Sequence, residues 1–167
     1  MDYLWSPWRM AYVTGAQDAH GCVFCAAAEP DEKTRALLVH EGRDTFVILN
    51  LFPYNNGHLM VVPRRHFRTL ADATSDELQE LIELTRLAEM VLTDAYAPEG
   101  LNVGINLGKA AGAGVLDHLH IHLVPRWTGD TNFMTVFGTA RVLPESLSQT
   151  AERLRPVFER LVKDTRA

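Results

Sequence analysis

Apolar residues recur along the chain with two different periods, and this separates predicted strands from predicted helices. Five short segments are rich in β-branched and aliphatic residues and are bounded by turn-forming residues, as expected of buried strands. They are residues 37–40, 45–51, 58–62, 101–107 and 118–124. Residues 53–57 have the composition of a turn, so the segments on either side are expected to pair.

Between residues 74 and 95 the apolar period changes to three and four positions, which predicts an amphipathic helix. Thr74 and Glu77 have the spacing of a capping box at its start. The tail over residues 144–163 is also helical in character, although Pro156 is expected to start, kink or break a segment. Strands and helices are grouped rather than alternating. This favours an α+β fold with a mainly antiparallel sheet, one long helix and a C-terminal helical tail.

The length of 167 residues suits one domain, with residues 1–20 as an N-terminal arm, 20–127 as the core and 128–167 as an extension. The arm carries Trp5 and Trp8, which predicts that it docks on the body or on a partner subunit. No apolar run approaches the roughly 20 residues that cross a bilayer. The first residues lack a secretory signal pattern, so a cytoplasmic location is expected, without a membrane partner.

The formal net charge is −5, and the basic residues are scattered along the chain. This argues against binding to nucleic-acid backbones, which requires a basic face. A small anionic substrate needs only a few local donors. Four cations lie beside the segments that carry the chemistry: Lys109, Arg126, Arg64 and Arg65.

Three histidines alternate with apolar residues in the last predicted strand: His118, His120 and His122. Because side chains on a strand alternate between faces, the three imidazoles line one face and the apolar residues between them face the core. A metal site built from the three is a rival interpretation. Same-face neighbours stand about 6.7 Å apart at the backbone, so two rings can share one ion but three cannot without distortion.

This pattern resembles the signature of the histidine triad (HIT) family of nucleotide hydrolases and transferases. The similarity continues through Asn50, through His58 and through residues 61–63 and 108–114, and it covers roughly residues 20–127. The residues from 125 onward look like the bacterial branch that contains diadenosine tetraphosphate phosphorylases. The resemblance implies a HIT-like fold, an enzyme, and a homodimer or larger homo-oligomer.

By this resemblance His120 is the nucleophile, and it forms a covalent nucleotidyl-histidine intermediate. Neutral imidazole is a good nucleophile near pH 7 when its other nitrogen carries the proton and is held, here by a backbone carbonyl or by His118. His122 is expected near the leaving oxygen, as a proton donor or a charge stabiliser. His58 is expected to support the site without taking part in catalysis.

The resemblance also implies a nucleotide-binding set: Asn50, Asn106, Gly114, Val115 and Trp127. Asn50 matches the ribose-binding position and Asn106 a phosphate-side amide, but a turn or capping role is equally expected of each. Small residues let the N–H groups of Gly114 and Val115 approach phosphate oxygens. Many HIT hydrolases have a polar side chain where this chain has Gly114, so the choice among water, phosphate and amine as acceptor is not inherited.

Cys22 and Cys25 form a C-x-x-C pair, which in a cytosolic chain indicates a metal clip or a redox pair. In the related uridylyltransferase branch and some bacterial HIT proteins, two such cysteines combine with two histidines. The matching positions here are His66 and His118, which implies a closed, structural Cys₂His₂ zinc site. The alternative is a pair of reduced, unliganded thiols.

The favoured function is cleavage of a phosphoanhydride in an adenine nucleotide, with diadenosine polyphosphates as the leading substrates. Hydrolysis of nucleoside phosphoramidates by the same His120 step is the alternative within the enzyme class. The alternative from another class is a nucleotide-binding regulatory module with negligible turnover.

Overall fold

A computed structural model describes residues 21–29, 32–130 and 144–165, which form a five-stranded sheet with helices packed on it. In chain order the elements are α1 (Val23–Ala28), α2 (Glu32–Leu37), β1 (Leu38–Glu41), β2 (Thr45–Leu49), β3 (Leu59–Pro63), α3 (Ser75–Tyr96), β4 (Gly100–Ile105), β5 (Ile121–Arg126) and α4 (Leu147–Thr165). The predicted arm at residues 1–20 lies outside the described ranges. None of the described helices has both the length and the apolar character that a bilayer crossing requires.

The sheet has the order β1-β2-β3-β5-β4, and every neighbouring pair is antiparallel. The predicted α+β fold with an antiparallel sheet is therefore confirmed. β2 ends at Leu49 rather than at residue 51 because the Asn50 side chain accepts the Phe52 N–H and starts the turn. Gly57 closes that turn at a φ of 74°, where a Cβ would stand 3.0 Å from the Tyr96 ring.

The expected start of the last strand is wrong. β5 begins at Ile121, so His118 and His120 lie in the segment that leads into it and only His122 lies within the strand. The physical reason is a competing partner: the Leu119 N–H donates to the Phe67 carbonyl, 2.7 Å away, which draws the segment toward the loop after β3. The alternation of faces survives this change, because Leu119, Ile121 and Leu123 all lie in the core.

The long helix α3 agrees closely with its prediction. Thr74 caps it, and both hydrogen bonds of the capping box with Glu77 are present. The helix ends at Tyr96, and Ala97 follows in the left-handed conformation with a φ of 44°. Its apolar face packs on the sheet through Leu81, Leu84, Leu87, Ala88, Val91 and Leu92.

The C-terminal helix α4 runs through Pro156 without ending. A proline inside a helix removes a backbone hydrogen bond and costs about 3 kcal/mol. Burial of Ala151, Leu154 and Phe158 in the core offsets this cost. Arg155 of the same helix donates to the Leu38 carbonyl of β1, which ties α4 to that edge of the sheet.

Two short helices, α1 and α2, have no counterpart in the sequence predictions. Each has six residues, too few for an apolar period to be recognised. Phe24 and Ala27 of α1 are buried against the face of the sheet opposite α3, beside Met60 and Val62. α1 therefore covers part of the face on which the histidines lie.

Candidate active site and metal centre

The three histidines gather on the face of the sheet that α3 does not cover. His118 and His120 are almost completely buried, with 1% and 4% of their surface exposed, and His122 is half-buried. The rings of His120 and His122 meet edge to face with centroids 4.7 Å apart. Phe24 of α1 packs on the His120 ring at 4.9 Å. The predicted sharing of one face is therefore present.

His120 is held in one tautomer by a backbone carbonyl. Its Nδ1 lies 2.9 Å from the carbonyl oxygen of His118, and a carbonyl can only accept a hydrogen bond, so Nδ1 carries the proton. The lone pair is then on Nε2. Burial lowers the pKa of His120, which favours the neutral ring. The second ring nitrogen of His120 therefore carries the proton and is held by a carbonyl, as a nucleophilic imidazole requires.

His58 fixes the tautomer of His122 through a hydrogen bond between the two rings. The Tyr54 N–H donates to Nδ1 of His58 over 3.0 Å, so the neutral His58 ring carries its proton on Nε2. That Nε2 lies 3.0 Å from Nδ1 of His122 and donates to it. His122 then carries its own proton on Nε2. The sequence predicted only a supporting role for His58. Its contact with His122 follows from the register between β3 and β5, in which Met60 pairs with His122, and neither strand alone signals it.

Cys22, Cys25, His66 and His118 form a second cluster beside the triad. Their ligand atoms all lie within 4.8 Å of one another. Nδ1 of His118 is 3.3 Å from Sγ of Cys22 and 3.6 Å from Sγ of Cys25. Nδ1 of His66 is 3.2 Å from Sγ of Cys25. Within the described ranges this is the one group of three or more His, Cys, Asp or Glu side chains that has the geometry to hold a metal ion.

These distances suit a tetrahedral zinc ion. Zn–S bonds of about 2.3 Å and Zn–N bonds of about 2.0 Å place sulfur and nitrogen ligands roughly 3.5 Å apart. Nε2 of His118 lies 2.8 Å from the Pro63 carbonyl and must carry the ring proton, which leaves Nδ1 free to bind metal. Burial raises the pKa of the Cys25 thiol, as does its neighbour Cys22, and a bound cation would reverse both effects. His120 and His122 lie outside this set, which disfavours the rival metal site built from the triad.

The comparisons agree with this geometry. A family model described as HIT domain matches residues 32–129. The Mycobacterium tuberculosis protein named AP-4-A phosphorylase is 40% identical over 94% of this chain and 84% of its own length. The chain belongs to the histidine triad family. The predicted resemblance to the bacterial diadenosine tetraphosphate phosphorylases is thereby confirmed, as is the prediction of a histidine triad enzyme.

Two solved structures extend the comparison. A Zn-bound histidine triad family protein from Mycobacterium smegmatis superposes with a TM-score of 0.69 and 26% identity, over 86% of this chain and 97% of that one. A uridylyltransferase mutant superposes with a TM-score of 0.71 over 95% of this chain and 55% of that one. Its identity of 18% shows a common fold and nothing more.

The predicted nucleotide-binding residues of this HIT protein are only partly brought together. Asn50 is buried beside His58, with its Nδ2 3.4 Å from Nδ1 of that ring, and its Oδ1 caps the turn. The turn role considered for Asn50 is therefore present, and the ribose role stays a prediction. Asn106 directly follows Ile105, whose partner on β5, Ile121, is the neighbour of His120.

The loop over residues 108–114 closes on itself. The Gly108 carbonyl accepts from the N–H groups of Ala111 and Ala113. Neither Gly114 nor Val115 donates its N–H to any partner in the described part of the chain. This leaves two backbone donors free four and three residues before His118, as the predicted phosphate role requires.

Trp127 lies apart from the triad. It follows the end of β5, and its ring contacts Tyr96 at the C-terminus of α3, with centroids 6.4 Å apart. The seven residue steps from His120 to Trp127 span roughly 23 Å along an extended chain. The structure does not bring Trp127 to His120 within this chain, and its nucleotide-binding role stays a prediction.

Proposed function

We propose that this HIT enzyme cleaves a phosphoanhydride of diadenosine polyphosphates, with diadenosine tetraphosphate as the leading substrate, through a nucleotidyl-histidine intermediate on His120. The observation that carries the proposal is the hydrogen bond from Nδ1–H of His120 to the His118 carbonyl. It points the lone pair of a buried, neutral imidazole away from the backbone. A protein that only binds nucleotides does not need a histidine whose tautomer is fixed with the lone pair on Nε2.

In the first step Nε2 of His120 forms a bond to the α-phosphorus, and the bond from that phosphorus to the bridging oxygen breaks. The bridging oxygen keeps the electron pair, so ATP leaves from diadenosine tetraphosphate and AMP stays on the histidine. His122 carries a proton on Nε2 through its contact with His58, which suits it to donate to the leaving oxygen. The N–H groups of Gly114 and Val115, which have no partner in the described residues, are proposed to bind the non-bridging oxygens.

In the second step an acceptor attacks the same phosphorus and the bond to Nε2 breaks, which restores His120. Water as the acceptor gives AMP, whereas inorganic phosphate gives ADP. The similarity to a protein named AP-4-A phosphorylase favours phosphate.

Incubation with diadenosine tetraphosphate, with and without phosphate, tests the proposal. We expect ATP and ADP with phosphate present, and a loss of about a thousandfold or more in turnover for His120→Asn, with nucleotide binding retained. A brief reaction followed by mass spectrometry would detect the AMP adduct on His120. Binding without turnover would establish the regulatory module instead, and turnover of adenosine phosphoramidate alone would establish the phosphoramidate hydrolase.

We also propose that Cys22, Cys25, His66 and His118 hold a structural zinc ion. The ion would be closed to substrate, since all four positions are filled by side chains. By fixing His118 it would help to place the carbonyl that His120 depends on. Protein purified without chelator should contain about one zinc per chain, and Cys25→Ser should lose it. Absence of zinc together with two titratable thiols would contradict this proposal.

We propose further that the chain forms a homodimer or a larger homo-oligomer. β4 is the last strand of the sheet, and Val103 in it is 49% exposed. Ile82 on α3 is 64% exposed. Within the described residues the outer side of β4 pairs with no further strand, and an edge strand of this kind is a template for pairing with a second copy. Light scattering coupled to gel filtration should give at least twice the chain mass of 18.7 kDa, and Val103→Lys should lower it. The cytoplasmic location stays a prediction.

A further inference from the structure

A diadenosine polyphosphate brings several negative charges to the site, so binding it requires cations or backbone N–H donors that neutralise its phosphates. Three of the four cations identified in the sequence already form ion pairs with carboxylates. Arg64 pairs with Glu41 at 2.7 Å, Arg65 with Glu77 at 2.7 Å and Arg126 with Asp130 at 2.6 Å. A guanidinium that is held by a carboxylate offers little net charge to a substrate.

Lys109 is the fourth cation, and its surroundings differ. It is exposed, and no ion pair or hydrogen bond holds its side chain within the described residues. It lies in the 3-10 turn Lys109–Ala111 of the loop that ends at Gly114. The hydrogen bonds from Ala111 and Ala113 to the Gly108 carbonyl make that loop compact, so the lysine and the free N–H groups of Gly114 and Val115 belong to one unit.

We propose that the ammonium group of Lys109 binds the phosphates beyond the attacked one and thereby sets a preference for long polyphosphate chains. The inference rests on the proposed function, since it assigns the rest of the same substrate. The backbone donors of the loop serve the phosphorus that His120 attacks, and the lysine on the exposed side of the loop serves the leaving portion. Because an ammonium is a mobile point charge, it accommodates chains of different length.

The test compares Lys109→Gln with Lys109→Arg and with Lys163→Gln, a matched change of an exposed lysine in the last turn of α4. The substrates are diadenosine tri-, tetra- and pentaphosphate and adenosine phosphoramidate, whose leaving group carries no phosphate. We expect Lys109→Gln to lower kcat/KM for the tetra- and pentaphosphate about fivefold at low salt, mainly through KM. The phosphoramidate should be unaffected, Arg should restore most of the loss, and Lys163→Gln should match the wild type.

Two results would overturn the inference: no change with any substrate, or an equal loss with all four, which would indicate a structural role for Lys109. Failure of the proposed function is distinguishable. If the wild type does not turn over diadenosine tetraphosphate, equilibrium binding of that nucleotide and of AMP to the wild type and to Lys109→Gln decides the matter. Weaker binding of the tetraphosphate alone supports the inference, and equal binding overturns it.

Discussion

The two faces of the central sheet use the same strands for different purposes. Toward α3 and α4 the strands present aliphatic side chains that are almost completely buried, such as Val47, Leu59 and Leu123. On the opposite face the neighbours of these residues in the chain include His58 and His122, whose ring nitrogens are hydrogen-bonded to each other. A period of two therefore separates stability from chemistry within single strands. Changes on one face should affect one property and spare the other.

The largest effect on stability is expected on the helix face, from Phe158→Ala. Phe158 is fully buried and stacks on His40, so truncation leaves a cavity and should cost about 3–5 kcal/mol in the free energy of unfolding. Phe52→Ala is the matched control, because Phe52 is 58% exposed and should change stability by less than about 0.5 kcal/mol. Urea unfolding at one protein concentration measures both.

Turnover per folded Phe158→Ala molecule should equal that of the wild type. A lower kcat per folded molecule would show that the two faces are not separable.

The converse effect is expected on the histidine face, from His58→Leu. Without the donor from His58, the proton of His122 is free to move to Nδ1, and kcat should fall roughly tenfold to a hundredfold with little change in KM. His58→Gln keeps a side-chain N–H and should recover part of the rate. Nitrogen NMR shifts of His122 should report the altered tautomer in the Leu variant alone. Equal rates for the two variants would show that His58 fills space without positioning His122.

The same two faces explain what the sequence could predict. Helix α3 follows from local signals, since its apolar period and the Thr74–Glu77 capping box need no knowledge of the rest of the fold. The aliphatic face follows from strict alternation. The late start of β5 could not be predicted from local sequence, because the Phe67 carbonyl that competes for the Leu119 N–H is distant in the sequence. The contact between His58 and His122 also depends on the register between β3 and β5, which no single segment encodes.

Family resemblance, rather than periodicity, supplied the residues of the metal cluster. Cys25 lies in the unpredicted helix α1 and Cys22 caps it, while His66 and His118 lie in separate loops. A C-x-x-C pair by itself left two interpretations open, and the three-dimensional proximity of all four ligand atoms is the observation that supports the proposed metal site. Contacts between residues that are far apart in the chain cannot be predicted from the local amino-acid composition.

The smallest predicted effect concerns the N-terminus of α3, at the border of the helix face. The carboxylate of Glu77 accepts two hydrogen bonds from the Arg65 guanidinium and one from the Thr74 N–H, which together lower its pKa to about 2. Since the pKa in the folded chain lies below that of the unfolded chain, about 4.3, these contacts stabilise the fold above pH 4.3 and are lost as the pH falls toward 2.

Glu77→Gln should therefore cost about 1–2 kcal/mol at pH 7, and the difference from the wild type should shrink as the pH is lowered below 4.3. Glu89→Gln, an exposed carboxylate on the same helix, is the matched control and should show no such pH dependence. If the cost of Glu77→Gln stayed constant between pH 7 and pH 3, that cost would come from the acceptor oxygen that the amide lacks and not from the charge of the carboxylate.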